Sequence, residues 1–233
     1  AISLGQTGDP RSIIPLIRSF SDRNTDVHRN VVTAFEKLGD KVFKELIRCI
    51  EGDDLELRRN AALALAEMKD DRGVDHIVML MEDTDESARA CAAESLGSFP
   101  GLKARTMLNE ALSDNSLKVR LAAIKSIGAL DSEADALSLM AHSGKVRDER
   151  EARTIKRTLG EMALDNPDLF IGLFKHEQSA IKTMACEAMV AAGMEVMARL
   201  TQVATESQDE TVVFWCKKTM KQIKQPRESM FYG

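Results

Sequence analysis

Apolar side chains recur along this chain with two superimposed periods. Within short stretches they fall three and four residues apart, the spacing that lines one face of an α-helix. Over the whole chain the same stripe returns every 30 to 32 residues. One column runs Leu4, Phe35, Leu65, Leu96, Ile127, Leu159, Met189 and Met220. Four residues earlier stand Val31, Ala61, Ala92, Ala123, Ile155, Ala185 and Cys216; three residues later stand Thr7, Leu38, Met68, Phe99, Leu130, Met162, Ala192 and Ile223. Thr7 alone breaks the apolar pattern. A second set, Leu16, Leu46, Ile77, Leu108, Leu139, Phe170 and Leu200, marks another helix ahead of each of these. The repeating unit is therefore a helix pair, and self-similarity at such a period is the signature of a stacked repeat architecture.

The spacing predicts first helices over 10–20, 40–50, 72–82, 102–112, 133–141, 167–174 and 194–204, and second helices over 26–38, 55–68, 86–99, 117–130, 148–163, 179–192 and 210–224. The expected fold is all-α, a right-handed α-solenoid of about seven helix-pair repeats. Gly8, Gly39, Gly101 and Gly193 stand just beyond second helices, where a left-handed residue ends a helix, and Pro10 and Pro167 stand at the start of first helices, where a missing N–H costs little. The expected organisation is a single array over 1–233, with repeats at 8–38, 39–69, 70–99, 100–130, 131–164, 165–192 and 193–224. Residues 1–7 read as the tail of a truncated repeat and 225–233 as a C-terminal tail. A truncated repeat exposes an apolar edge, so a partner, or a second copy forming a homo-oligomer, is expected to cover it.

The turn inside each pair has its own ladder, Asp22, Asp53, Asp83 and Asp114, followed by Arg58, Arg89 and Arg120. A carboxylate there is expected to accept the orphan N–H groups of the second helix and to complement its dipole. The arginines are expected to reach turn carboxylates of an adjacent repeat, which makes this ladder structural.

The opening "LGQTGDPRSIIPLI" and the motif VR-x-x-AA-x-x-x-G in "VRLAAIKSIG" resemble HEAT repeats of the phycobilisome-lyase-like type, and the resemblance extends along the whole chain. It implies helix pairs stacked into a curved superhelix whose second helices line the concave side. Ala152 and Val213 stand where arginines stood earlier, so the ladder is expected to stop near residue 130. The motif specifies the repeat better than the function, because arrays of this type include chromophore lyases, adaptors and assembly factors.

Composition narrows the functional classes. A net charge of -5, from 37 acidic and 32 basic residues, lacks the positive excess of a general nucleic-acid or anionic-membrane binder. No apolar run reaches the roughly 20 residues of a membrane span. Cys49, Cys91, Cys186 and Cys216 show no C-x-x-C pairing and read as core residues of a reduced compartment, so the expected location is cytoplasmic. His28, His76, His142 and His176 are not spaced as metal ligands. His176–Glu177 is a single His-Glu dipeptide, where the di-iron hydroxylases built on this fold use several, and reads as a solvated turn. No Gly-rich nucleotide loop is spelled out, and no catalytic, metal or cofactor site is expected.

The residues at positions two, three and six of each second helix are expected to face the groove. The partner-binding candidates among them are Arg29, Asn30, Arg59, Asn60, Glu94, Lys125, Arg153, Arg157, Glu187, Phe214, Trp215 and Lys218. Mixed charges with apolar residues between them suit a protein or peptide ligand, and a nucleic-acid groove would instead show a sustained basic row. Phe214 and Trp215 are adjacent, so both rings cannot enter one core stripe, and one is expected as an exposed anchor. The expected function is a non-catalytic scaffold binding another protein through its concave face and C-terminal region. The alternatives are a bilin-lyase-like chromophore-handling protein and a nucleic-acid binder.

Overall fold

The computed structural model describes residues 9–225, apart from Arg23. The expected truncated repeat, with its exposed edge, and most of the expected tail lie outside them. Among the described residues every regular element is helical, and the α-helices form seven successive pairs. In chain order these are α1 (Ile13–Arg18) with α2 (Thr25–Leu38), α3 (Asp40–Glu51) with α4 (Leu55–Met68), α5 (Val74–Leu80) with α6 (Glu86–Leu96), and α7 (Leu102–Ala111) with α8 (Leu117–Leu130). There follow α9 (Glu133–Ser143) with α10 (Glu149–Asp165), α11 (Pro167–Gly172) with α12 (Ser179–Ala192), and α13 (Met197–Glu206) with α14 (Glu210–Lys224). The chain divides into two compact units, Ala1–Leu130 and Asp131–Gly233. The boundary falls where the column step lengthens to 32 residues, from Ile127 to Leu159, and where Ala152 replaces the ladder arginine.

Local chemistry sets the helix ends. Five of the second helices start on side-chain caps: Asn24 accepts from the Asp26 N–H, Asp54 from Leu57, Asp85 from Ser87 and Ala88, Asp148 from Arg150 and Glu151, and Asp209 from Thr211 and Val212. Gly39 (φ 67°) and Gly193 (φ 83°) turn the chain out of α2 and α12 through the left-handed region, while Lys69 (φ 51°) does so after α4 at the strain of a Cβ. The expected 86–99 helix stops at Leu96 instead. Pro100 disfavours helical backbone at Phe99, which is nevertheless buried in the turn that follows.

The predicted columns form the core, except that Met220 and, three residues along the stripe, Met68, Leu130, Ala192 and Ile223 are only half-buried. Leu16, Leu46, Ile77, Leu108, Leu139, Phe170 and Leu200 are all fully buried, as are Val31, Ala61, Ala92, Ala123, Ala185 and Cys216 of the second helices. Within each unit, second helices also lie side by side, and a further column is buried between them: Ala34, Ala64, Ser95, Ser126, Thr158, Ala188 and Thr219. These residues are small. A Cβ placed on Gly97 would stand 2.9 Å from Cβ and Oγ of Ser126, and one on Gly160 would stand 3.0 Å from Cβ of Ala191.

The Asp and Arg ladder is structural, with one change of role. Arg58 Nε lies 2.9 Å from Asp83 Oδ2, and Arg89 Nε lies 2.9 Å from Asp114 Oδ2, so each arginine grips the turn of the following repeat. Its Nη1 meanwhile donates to carbonyls of its own turn: Gly52 and Asp53 for Arg58, Asp83 and Thr84 for Arg89, Asp114 and Asn115 for Arg120. The ladder aspartates are not the helix caps. Asp22, Asp83 and Asp114 accept from the N–H two residues on (Asn24, Asp85, Ser116), an Asx turn that sets up a separate capping residue.

Candidate functional site

Two buried stripes leave a solvent-facing arc on each second helix, and the candidate residues divide between arc and packing. In the first unit Arg29, Arg59, Glu94 and Lys125 are exposed on the arc, and Asn30 is half-buried. Arg29 pairs with Asp26 at 3.1 Å on its own helix. Asn60 is not a surface residue. It is 4% exposed and its Nδ2 donates to Ser21 Oγ at 2.9 Å, tying α4 to the first repeat. Cys91, one step along the same column, donates its thiol to the Arg59 carbonyl at 3.3 Å. The third position of each second helix lies four residues before the small-residue column, so it turns toward the neighbouring helix rather than toward solvent.

In the second unit Arg153, Arg157 and Glu187 are exposed and Lys218 is half-buried. Phe214 and Trp215 separate as their adjacency requires. Trp215 is 7% exposed and stacks on Phe174 with centroids 5.9 Å apart, whereas Phe214 is 59% exposed. Trp215 is thus a packing residue, and Phe214 is the exposed ring. Lys218 folds its Nζ over the Trp215 ring, 4.0 Å from the centroid, so this cation is engaged with the indole face.

Arg153 and Arg157 line a cleft of about 360 Å³ between α10 and α12. Its rim carries Lys156 as well, and its floor is Gly160, Leu164, Ala191 and Ala192. The floor is low because Gly160 lets α12 approach closely, and Leu164 is 44% exposed there. Arg153 pairs with Glu149 at 2.6 Å and Arg157 lies 3.6 Å from Glu161, both along the same helix and both exposed. Exposed pairs of this kind are weak and exchange readily for a ligand carboxylate. Sequence periodicity missed the floor because Gly160 and Ala191 are too small to register as a binding feature.

The cysteines and histidines outside the arc are engaged in packing and turns. All four cysteines are buried and unpaired. Burial pushes the Cys91 and Cys216 thiols up to about 11 and raises those of Cys49 and Cys186, which keeps them protonated at neutral pH. His28 Nε2 contacts the Phe20 and Asp22 carbonyls, and His142 Nε2 lies 2.7 Å from Oε1 of the buried Glu151. His176 Nδ1 accepts the Gln178 N–H at 3.1 Å, the solvated turn expected of the His-Glu dipeptide. Among the described residues no three His, Cys, Asp or Glu side chains come together as a metal-binding group, and no helix is long and apolar enough to cross a membrane.

No curated protein matches this chain significantly. Among solved structures it is similar to Kap121p, at 13% identity and a TM-score of 0.52; the match covers 92% of this chain and 28% of that one. It also matches the complex of CpcE and CpcF of phycocyanin lyase from Nostoc sp. PCC7120, at 18% identity and a TM-score of 0.41, covering 94% of this chain and 86% of that one. The likeness to Kap121p supports the solenoid fold alone. A family model described as HEAT repeats matches residues 16–97 and 75–159, more than half of the sequence and in step with the helix pairs, so the chain belongs to the HEAT-repeat family.

Proposed function

We propose that this protein is a non-catalytic scaffold that binds another protein or a peptide segment through the solvent-facing arc of its second helices and through its C-terminal helix, in a reducing compartment such as the cytoplasm. The cleft between α10 and α12 carries this reading. An apolar floor beneath a rim of Arg153, Lys156 and Arg157 suits one aliphatic side chain of a polypeptide with an acidic neighbour. The arc elsewhere alternates in sign, from Arg29 and Arg59 through Glu94 to Lys125. That mixture opposes the continuous phosphate track of a nucleic-acid groove. The thiols are buried and protonated and the histidines sit in turns and packing, which supports a binding role over thiol or imidazole chemistry.

The test reverses Arg153 and Arg157 to Glu in the full chain, followed by cross-linking capture of the partner and thermal melting. Both side chains are exposed, so the melting curve should stay in place while the partner is lost. Capture of the same partner by the variant would overturn the assignment of this cleft.

A further inference from the structure

The side of α14 turned away from α12 carries an arrangement that stacking alone does not need. Phe214, Lys217, Lys221 and Lys224 are exposed, and successive steps of three, four and three residues place them on one face. Val213 and Met220 flank them, and two shallow clefts of about 350 and 310 Å³ follow this face. In the preceding repeat, 31 residues before Lys217 and Met220, stand Cys186 and Met189, and both are buried. Cys186 lies against α14: its Sγ accepts from Thr219 Oγ1 at 3.2 Å and donates to Gln222 Oε1 at 3.4 Å. The face that receives the next second helix in α12 is therefore open in α14, with a lysine at its centre. Lys217 bars burial under an apolar repeat, because a charge cannot be covered without a partner. A purely polar cap, on the other hand, would not present Phe214 at 59% exposure.

We propose that this face docks an acidic amphipathic helix of a partner protein, laid beside α14 as a further second helix would be. Its apolar residues would cover Val213, Phe214 and Met220, and its carboxylates would pair with Lys217, Lys221 and Lys224. Charge selects this occupant: among the described residues no carboxylate pairs with any of these three lysines, and Glu210 is the one acidic side chain of α14. Like charges three and four residues apart repel, and an anionic occupant relieves that repulsion. Phe214 to Lys224 spans about 15 Å of helix, which a partner helix of roughly three turns matches. The inference rests on the scaffold reading above and deepens it by naming the partner's chemistry.

The experiment titrates the full chain into a fluorescein-labelled synthetic peptide of about 18 residues, with Leu at helical spacing and Glu on the flanks, read by anisotropy. Binding is expected, and it should weaken at least about tenfold for Phe214→Ser and for the triple variant Lys217→Glu, Lys221→Glu, Lys224→Glu. A peptide with Lys in place of Glu should bind the triple variant. Four outcomes overturn the proposal: no binding by the unsubstituted chain; equal binding of a peptide with the same composition but scrambled Leu spacing; much tighter binding by a chain ending at Gln225, which would make residues 226–233 the occupant; or lysine-dependent binding to phosphatidylserine vesicles but not to the peptide. If the peptide fails while reversal of Arg153 and Arg157 still abolishes partner capture, this inference falls and the scaffold reading stands.

Discussion

Replacing Arg89 by Met tests whether charge, as well as apolar burial, couples neighbouring repeats. Arg89 holds Asp114 of the next turn through two bonds, Nε to Oδ2 at 2.9 Å and Nη2 to Oδ1 at 3.0 Å. The two side chains are 17% and 15% exposed, so water screens them little. A net contribution of about 1.5–3 kcal/mol per hydrogen bond to a charged group sets the scale. Both bonds belong to one ion pair, and Asp114 keeps the Ser116 N–H at 2.7 Å, so the loss should fall below that of breaking a fully buried pair. We expect destabilisation of about 2–3 kcal/mol, a fall in Tm of roughly 4–12 °C. Arg29→Met is the control: its pair with Asp26 is 76% and 71% exposed and should cost no more than about 0.5 kcal/mol. The pH dependence supplies a second reading. The Arg89 guanidinium holds the Asp114 carboxyl below its ordinary value, so the fold favours the ionised form. Stability from a depressed carboxyl is present above the unfolded value and is lost as pH falls through the folded one. The deficit of Arg89→Met should therefore be full at neutral pH and shrink in acid. Thermal melts at pH 7 and near pH 3 measure both effects. If Arg89→Met is as mild as Arg29→Met, or if its deficit is unchanged in acid, the ladder does not couple the repeats.

Two further substitutions probe other contacts. Gly97→Ala brings a Cβ to 2.9 Å from Ser126 and 3.1 Å from its Cα, so it should cost about 1–3 kcal/mol, and Ser126→Gly in the same chain should restore most of the loss in a urea melt; no cost, or no rescue, refutes the close approach of α6 and α8. Asp131 sits at φ 44°, and burial, Asp165 and Asp135 raise its carboxyl above the ordinary value. The fold thus favours the protonated form, a contribution present below the unfolded value and lost as pH rises through the raised one. Asp131→Asn should stabilise the protein by about 0.5–1 kcal/mol at pH 7 and have little effect near pH 3. An equal gain at both values would assign the effect to the left-handed backbone instead.

The sequence made the helix pairs legible because one stripe of each helix must be oily to stay dry: Phe35, Leu65, Leu96 and Ile127 are large, apolar and evenly spaced. The second stripe obeys a different rule. Where second helices lie side by side, size decides instead of polarity, so Ala64 is buried and so are Ser95, Ser126 and Thr158 with their hydroxyls. A hydropathy pattern cannot register such a column. Asn60, one turn before Ala64 on the same lateral face, consequently read as a groove residue although it is a buried strut. Trp215 read likewise for the same reason, four residues before Thr219. The candidate site depends on subtracting both stripes, and the second is visible only once neighbouring helices are placed. What remains in the first unit is a narrow arc through Arg29 and Arg59 and, one turn further along the helix, Glu94 and Lys125; in the second unit it is Arg153 and Phe214 and, one turn further along, Arg157 and Glu187. On the scaffold reading proposed above, a partner would read second helices edge-on, through long side chains over small ones, and the substitutions that disturb folding least are the ones expected to disturb binding most.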